Sequence, residues 1–330
     1  MKNNKLNDHV LSELTINHLN SLSYIIKTKA IADLETSILE LVSVSETGGI
    51  VYGRPRIGKT HAIEYISNSI HEKYGEMLPV IKWPVTDHVA TERAFYAELL
   101  MAMGCSKPTK GATALVLKER VINECVIRAR DTIYNKLVIF IDEAWLLDIK
   151  DFQWLMDLYN RLSEKDITMT CILVGTKELL DLKNSLRKTG KEQIVQRFFL
   201  HEYNLTGMKD MSELLLCLAD LDSQYIVGTD YADDTKLFNF YFPDAAKDGK
   251  GFCTLYEDYF KAFTEIRIKG NLKSKDIPMK YFIKSFTYLL HRFGRLSDKR
   301  VYIPGYEEIY ECIEASQYRQ SDGDENGRRK

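Results

Sequence analysis

An α/β fold, with a parallel sheet flanked by helices and a mostly helical C-terminal region, is predicted by three observations. Short, unalternated apolar runs recur at residues 50–52, 79–83, 136–141 and 168–174. Segments with apolar residues at helical spacing separate them, and beyond about Thr206 the strand-like runs stop. Strands buried on both faces read as continuous apolar runs, and strand–helix alternation is how a parallel sheet acquires its covering crossovers.

The elements follow in order. Met1 to Asn20 is polar and Asn-rich, an arm rather than a core segment. Ile31, Leu34, Ile38, Leu39 and Leu41 give a helix over Ala30 to Val44, which Thr47, Gly48 and Gly49 stop. Ile50 to Tyr52 is a short buried strand, and His61 to Ile70 the helix that follows it. Pro79 to Trp83 reads as a second strand, and Glu92 to Met103 and Thr113 to Ala129 as helices. Lys136 to Ile141 is a dense apolar strand, Asp151 to Ser163 a helix, and Thr168 to Val174 a strand that ends at Gly175. This organisation predicts an arm over 1–29, a core over 30–205, a helical region over 206–305 and a tail over 306–330.

Composition narrows the partners. The chain has 330 residues and a formal net charge of −2, so a nucleic-acid partner has to be read from local patches. The six cysteines are dispersed without a C-x-x-C pair, which argues against zinc and for reduced thiols in a cytoplasmic protein. No apolar run approaches the roughly 20 residues that cross a bilayer, so no membrane role is expected. Charge segregates late in the chain. Residues 206–260 hold eleven acids against four lysines, and residues 261–300 hold eleven Lys plus Arg against three acids. Phe282, Phe286, Tyr288 and Phe293 interleave with the basic block, a pattern that fits either a solvated face or a contact surface.

Gly53-Arg54-Pro55-Arg56-Ile57-Gly58-Lys59-Thr60 matches G-x-x-x-x-G-K-[ST] in full, between a predicted strand and a predicted helix. Gly53 and Gly58 let the loop turn its N–H groups inward onto phosphate oxygens, and the following helix adds its positive end. Lys59 is placed to reach the β- and γ-phosphates, and the Thr60 hydroxyl to ligate Mg²⁺. Gly53, Arg56, Ile57, Gly58, Lys59, Thr60 and His61 form the expected ATP-binding set. Arg54 and Arg56 have two readings, phosphate contact or solvent.

Leu137 to Ile141 then delivers Asp142 and Glu143 to a strand end. Asp142 suits the Mg²⁺ shell, and Glu143 the activation of water for ATP hydrolysis. The Asp-Glu pair points to a hydrolase rather than a small-molecule kinase. Thr176, at the tip of the next strand, is the candidate sensor of the γ-phosphate, or else a strand-end turn. Arg197 in Gln196-Arg197-Phe198 is the candidate finger to a neighbouring subunit's site, or else a surface ion pair, with Arg187 as its competitor.

The order of phosphate loop, Asp-Glu strand, Gly-Thr strand tip and Arg-Phe, followed by a helical region, resembles the AAA+ ATPases over roughly residues 30–290. I-D-E-A-W-L-L (141–147), L-V-G-T-K-E-L (173–179) and Q-R-F (196–198) resemble one branch more closely, the transposition regulators of the TnsC/TniB type, relatives of MuB. The resemblance implies an AAA+ P-loop fold with a C-terminal helical lid. It also implies ATP-driven self-assembly into rings or filaments on double-stranded DNA, and a link between a target-selection protein and a transposase. It places DNA-backbone contacts at Lys107, Lys110 and Thr113, in a strip, 107–130, that carries six basic residues and two acids. No clear G-x-R motif opens the last lid helix; Lys280 and Arg295 are the candidates. A helicase loader or initiator-like ATPase, and a signalling NTPase that does not bind DNA, are the alternatives.

Overall fold

A computed structural model describes residues 13–14, 26–75, 77–86, 90–106, 111–226 and 235–325. The chain forms two compact units, one of Asp33–Arg54 and Lys59–Leu205, the other of Met1–Ala32, Pro55–Gly58 and Thr206–Lys330.

The first of these is a five-stranded, wholly parallel sheet with helices about it. Its strands are β1 (Gly48–Tyr52), β2 (Val80–Pro84), β3 (Lys136–Asp142), β4 (Thr168–Gly175) and β5 (His201–Asn204), in the order β2-β3-β4-β1-β5. The chain starts at β1, crosses to the far edge at β2, and returns through β3 and β4 before β5 closes the other edge. Ligands of such sheets sit at the strands' carboxyl ends where the order reverses, here beside β1. β3 and β4 are buried along nearly their whole length, as their apolar runs predict, whereas His201–Asn204 alternates between half-buried and exposed, as an edge strand can. That alternation, in polar residues, is why no strand is predicted at β5.

The helices of this unit are α1 (Lys29–Ser43, from Asp33 onward), α2 (Lys59–Tyr74), α3 (Glu92–Ala102), α4 (Ala114–Arg130), α5 (Ile149–Ser163), α6 (Glu178–Lys188) and α7 (Glu192–Phe198). Side chains fix the starts of several: Thr91 Oγ1 accepts the Ala94 N–H at 3.2 Å at the start of α3, and Asp148 and Asp151 form a reciprocal box at the start of α5. Each such cap stabilises a helix by about 1 kcal/mol. Gly48 and Gly49 do more than stop α1. They begin β1, and a Cβ on Gly48 would overlap the Cys171 carbonyl oxygen of β4, so only glycine admits this strand pair. Ile139, Phe152, Leu158, Leu173, Phe198 and Phe199 lie in the core between sheet and helices.

The other unit is helical: α8 (Met211–Ser223), α9 (Leu237–Tyr241), α10 (Pro243–Lys247), α11 (Tyr256–Lys269), α12 (Met279–Phe293) and α13 (Tyr306–Ala315). A small sheet pairs Glu13–Leu14 in parallel with Tyr225–Ile226, which pairs antiparallel with Thr235–Lys236. Most of the arm expected over 1–29 lies outside the described residues. The segment from 306, expected as a tail, supplies a helix whose Ile309, Cys312 and Ile313 are buried in this unit's core.

The aromatic residues of the basic block are core. Phe282 and Phe286 are fully buried and Phe293 nearly so, packed with Phe252 and Tyr259. Their spacing along α12 is that of a buried helix face, which outweighs their interleaving with charge. Tyr288 alone stays half-buried, beneath Lys284 and Arg292. The block's charges are partly matched by acids: Lys269 meets Glu265 at 2.6 Å and Arg292 meets Glu311 of α13 at 2.8 Å. Among the described residues no helix is long and apolar enough to cross a membrane.

Candidate functional site

The loop after β1 is anchored where its Gly53 N–H donates to the Gly175 carbonyl at the tip of β4, at 3.1 Å. Two of its residues hold positive φ: Gly58 at 107° and Arg56 at 68°. An L-residue in the left-handed region costs on the order of 1 kcal/mol, so Arg56 holds an uncommon backbone in the exposed part of the loop. Ile57 is buried, and His61 is exposed in the first turn of α2.

Lys59 opens α2 and is only 8% exposed. Its Nζ donates to the carbonyls of Gly53 and Arg54, both at 3.2 Å, so the loop curls around its own ammonium. Burial pulls the lysine below its ordinary pKa, opposed by the carboxylates of Glu143, Asp142 and Glu178. The next residue points across to β3: Thr60 Oγ1 donates to Asp142 Oδ2 at 2.8 Å. Asp142 Oδ1 accepts the Glu143 N–H at 3.0 Å. Burial raises the Asp142 pKa, and these two hydrogen bonds and Lys59 oppose the rise. The structure thus brings together Gly53, Lys59, Thr60, Asp142 and Glu143, residues from both ends of the motif pair.

A hydroxyl beside a carboxylate is a hard oxygen donor set of the kind that Mg²⁺ prefers. Thr176 Oγ1, past the tip of β4, is buried and has no hydrogen-bond partner among the described residues, which leaves it able to bond a ligand. These features fit a nucleotide with its Mg²⁺. Thr60 and Asp142 would hold the ion, and Lys59 and the loop N–H groups the phosphates.

Arg197 lies elsewhere in its own protomer. Its guanidinium bonds Asn160 Oδ1 at 2.7 Å and stacks on Tyr159, 4.3 Å from the ring centroid, both near the end of α5. Its carbonyl accepts the Thr47 hydroxyl at 2.7 Å. Arg187 is exposed in the last turn of α6. Lys280 is exposed in the first turn of α12, and Arg295 just beyond its end, where its N–H bonds the Tyr241 carbonyl.

Of the DNA candidates, Lys107 and Lys110 lie outside the described residues. Thr113 is the N-cap of α4, its hydroxyl accepting the Val116 N–H at 3.4 Å. Two members of the basic strip are engaged by the chain's own groups: Lys118 with Asp157 at 2.5 Å, and Arg128 with the Met103 carbonyl at 2.7 Å. Sequence reasoning misses Trp145, whose Nε1–H donates to Glu143 Oε2 at 2.5 Å. Its position two residues past the acid is the only signal, and an aromatic there reads equally as core.

Comparison with known proteins agrees with this geometry. Residues 44–182 match a family model described as an AAA domain, a span that holds the phosphate loop, Asp142, Glu143 and Thr176. The core is an AAA+ P-loop fold. Compared with curated proteins, the chain has no significant match. Among solved structures it is similar to the ORC2 protein of Aeropyrum pernix in ADPNP–ADP complexes. That likeness has 14% identity and a TM-score of 0.45, over 94% of this chain and 71% of that one. It is also similar to Cdc6p of Pyrobaculum aerophilum, at 12% identity and a TM-score of 0.46, over 82% and 70%. The ORC1 protein of Aeropyrum pernix in complex with DNA gives 13% and 0.41, over 91% and 82%. Likenesses of this size carry nothing about activity.

Proposed function

We propose that this chain is a Mg²⁺-dependent ATPase whose nucleotide state governs its assembly on double-stranded DNA. The finer reading is a transposition regulator that couples a target-selection protein to a transposase. The observation that carries the ATPase reading is the bond from Thr60 to Asp142, with buried Lys59 and Glu143 beside it. In this reading Thr60 and Asp142 would hold Mg²⁺, which would supply positive charge against the phosphates. Lys59 binds the same phosphates, Thr176 Oγ1 contacts the γ-phosphate or the attacking water, and Glu143 takes the proton from that water. Arg197, presented on Tyr159 and Asn160, serves the site of a neighbouring subunit.

The DNA part is supported by the sequence resemblance and by the N-terminus of α4, capped by Thr113, which follows Lys107 and Lys110 in the sequence. With Lys118 and Arg128 engaged internally, the contact set is narrower than the charge count of 107–130 implies. Contacts of this kind go to phosphate, so binding is expected to be insensitive to sequence and steeply weakened by salt.

Electron microscopy with a non-hydrolysable ATP analogue and duplex DNA tests the reading. Rings or filaments on the DNA are expected. A chain that stays monomeric with both present contradicts it, and assembly with ATP alone points to a signalling NTPase. Stimulation of a cognate transposase separates the regulator from a helicase loader or initiator-like ATPase.

A further inference from the structure

We propose that Trp145 is the positioning residue for Glu143, tying its carboxylate to the tip of β4. The proposal rests on the reading of Glu143 as the base for hydrolysis.

The geometry has three parts. The turn Ala144–Leu146 folds the chain back so that the Trp145 indole N–H donates to Glu143 Oε2 at 2.5 Å. Glu143 is itself fixed at φ 55°, its N–H held by Asp142 Oδ1 at 3.0 Å and its carbonyl by the Leu146 N–H at 3.0 Å. The indole then lies against Gly175, where an added Cβ would stand 3.2 Å from Trp145 Cδ1 and 3.0 Å from Leu179 Cδ1. A side chain there would press on both, so the ring and Leu179 would have to give by a few tenths of an ångström. Gly175 is also the residue whose carbonyl receives the Gly53 N–H, and its neighbour Thr176 carries a hydroxyl with no partner among the described residues. One aromatic ring therefore connects the base, the sensor strand and the start of the phosphate loop.

The donor type matters. An indole N–H donates and cannot accept, so it orients the carboxylate without competing for the proton that carboxylate receives. With Oε2 bound, Oε1 is left to accept. In the reaction, water loses a proton to Glu143 while its oxygen bonds the γ-phosphorus. The bond to the β–γ bridging oxygen breaks, and its electron pair leaves with ADP. A base that must meet that water within about half an ångström gains from a fixed side chain.

Trp145→Phe keeps the ring and removes the N–H; Trp145→His keeps an N–H donor. Trp145→Phe is expected to lower kcat by ~10- to 100-fold, the usual loss when an orienting partner is removed, with the KM for ATP within about twofold. Trp145→His is expected to recover most of that loss. A Trp145→Phe kcat within about twofold of the parent overturns the proposal, as does an equal loss in both variants, which would be a packing effect. A second measurement does not depend on turnover. The Trp145 indole N–H resonance, assigned by its loss in Trp145→Phe, should move in Glu143→Ala. An unmoved resonance removes the tie itself, whereas a moved resonance in a chain that does not hydrolyse ATP leaves the tie standing and rejects the hydrolytic reading.

Discussion

The two units handle charge in opposite ways. The sheet unit takes several charges out of water and holds each with partners: Lys59 at 8% exposed and half-buried Asp142 at the phosphate loop, Lys183 on the Phe199 carbonyl and Glu202, and Asp151 in the cap of α5. The helical unit carries many more, strongly segregated along the sequence, and keeps most of them on its surface, several paired side by side, as in Lys269 with Glu265 and Arg292 with Glu311. Its burial is aromatic instead, with Phe238, Phe252, Tyr259, Phe282 and Phe286 filling the centre. The difference teaches that buried charge marks a site where several such groups converge, as Lys59, Asp142 and Glu143 do; a single buried charge such as Lys183 does not. Nor does the number of charges in a block.

Substitutions sharpen that contrast. Lys59→Ala is expected to lower MgATP affinity by about 10³-fold in calorimetry, since it removes the buried ammonium from the phosphates. The nucleotide-free variant should unfold at the parent's temperature or above it. The folded state disfavours this ammonium, so losing it removes a cost. A variant that keeps its affinity would break the comparison at its strongest point. In the helical unit, Phe282→Ala should cost about 3 kcal/mol in denaturant unfolding, because it empties the centre of an aromatic cluster. Arg292→Ala, on the same helix but on its surface, should stay within about 0.5 kcal/mol, as exposed ion pairs do. A large loss there would mean that the surface pairs carry real weight. The smallest effect is chemical. Burial and a hydrogen bond to Asp222 push the Cys253 thiol up to about 11, and burial pushes Cys125 and Cys312 up to about 12. Only the thiolate is alkylated, so labelling of Cys253 should be slow at pH 8 and rise about tenfold per pH unit toward 11, as followed by mass spectrometry.

Much of the sheet unit is legible in the sequence because central parallel strands are apolar without alternation, and β3 and β4 are of that kind. β5 is not, because His-Glu-Tyr-Asn at an edge alternates in polar residues and has no apolar run to find. The phosphate loop and Asp142–Glu143 are legible because their chemistry fixes residue types at fixed spacing. Trp145 is not, since its role comes from a three-residue turn and from the room left by Gly175, neither of which has a spacing rule. Gly48 is legible as a breaker for the wrong reason: its place is the close approach to Cys171 inside the sheet. The basic block misleads for a related reason, as its aromatic residues follow the helical period of a buried face while its lysines occupy the other.

The most direct test is Glu143→Gln, which keeps the shape of the side chain and removes the base. The expected result is a chain that binds MgATP as the parent does, holds it unhydrolysed through a single-turnover assay, and stays assembled on duplex DNA where the parent disperses. Hydrolysis at the parent's rate contradicts a site in which Glu143 activates the water.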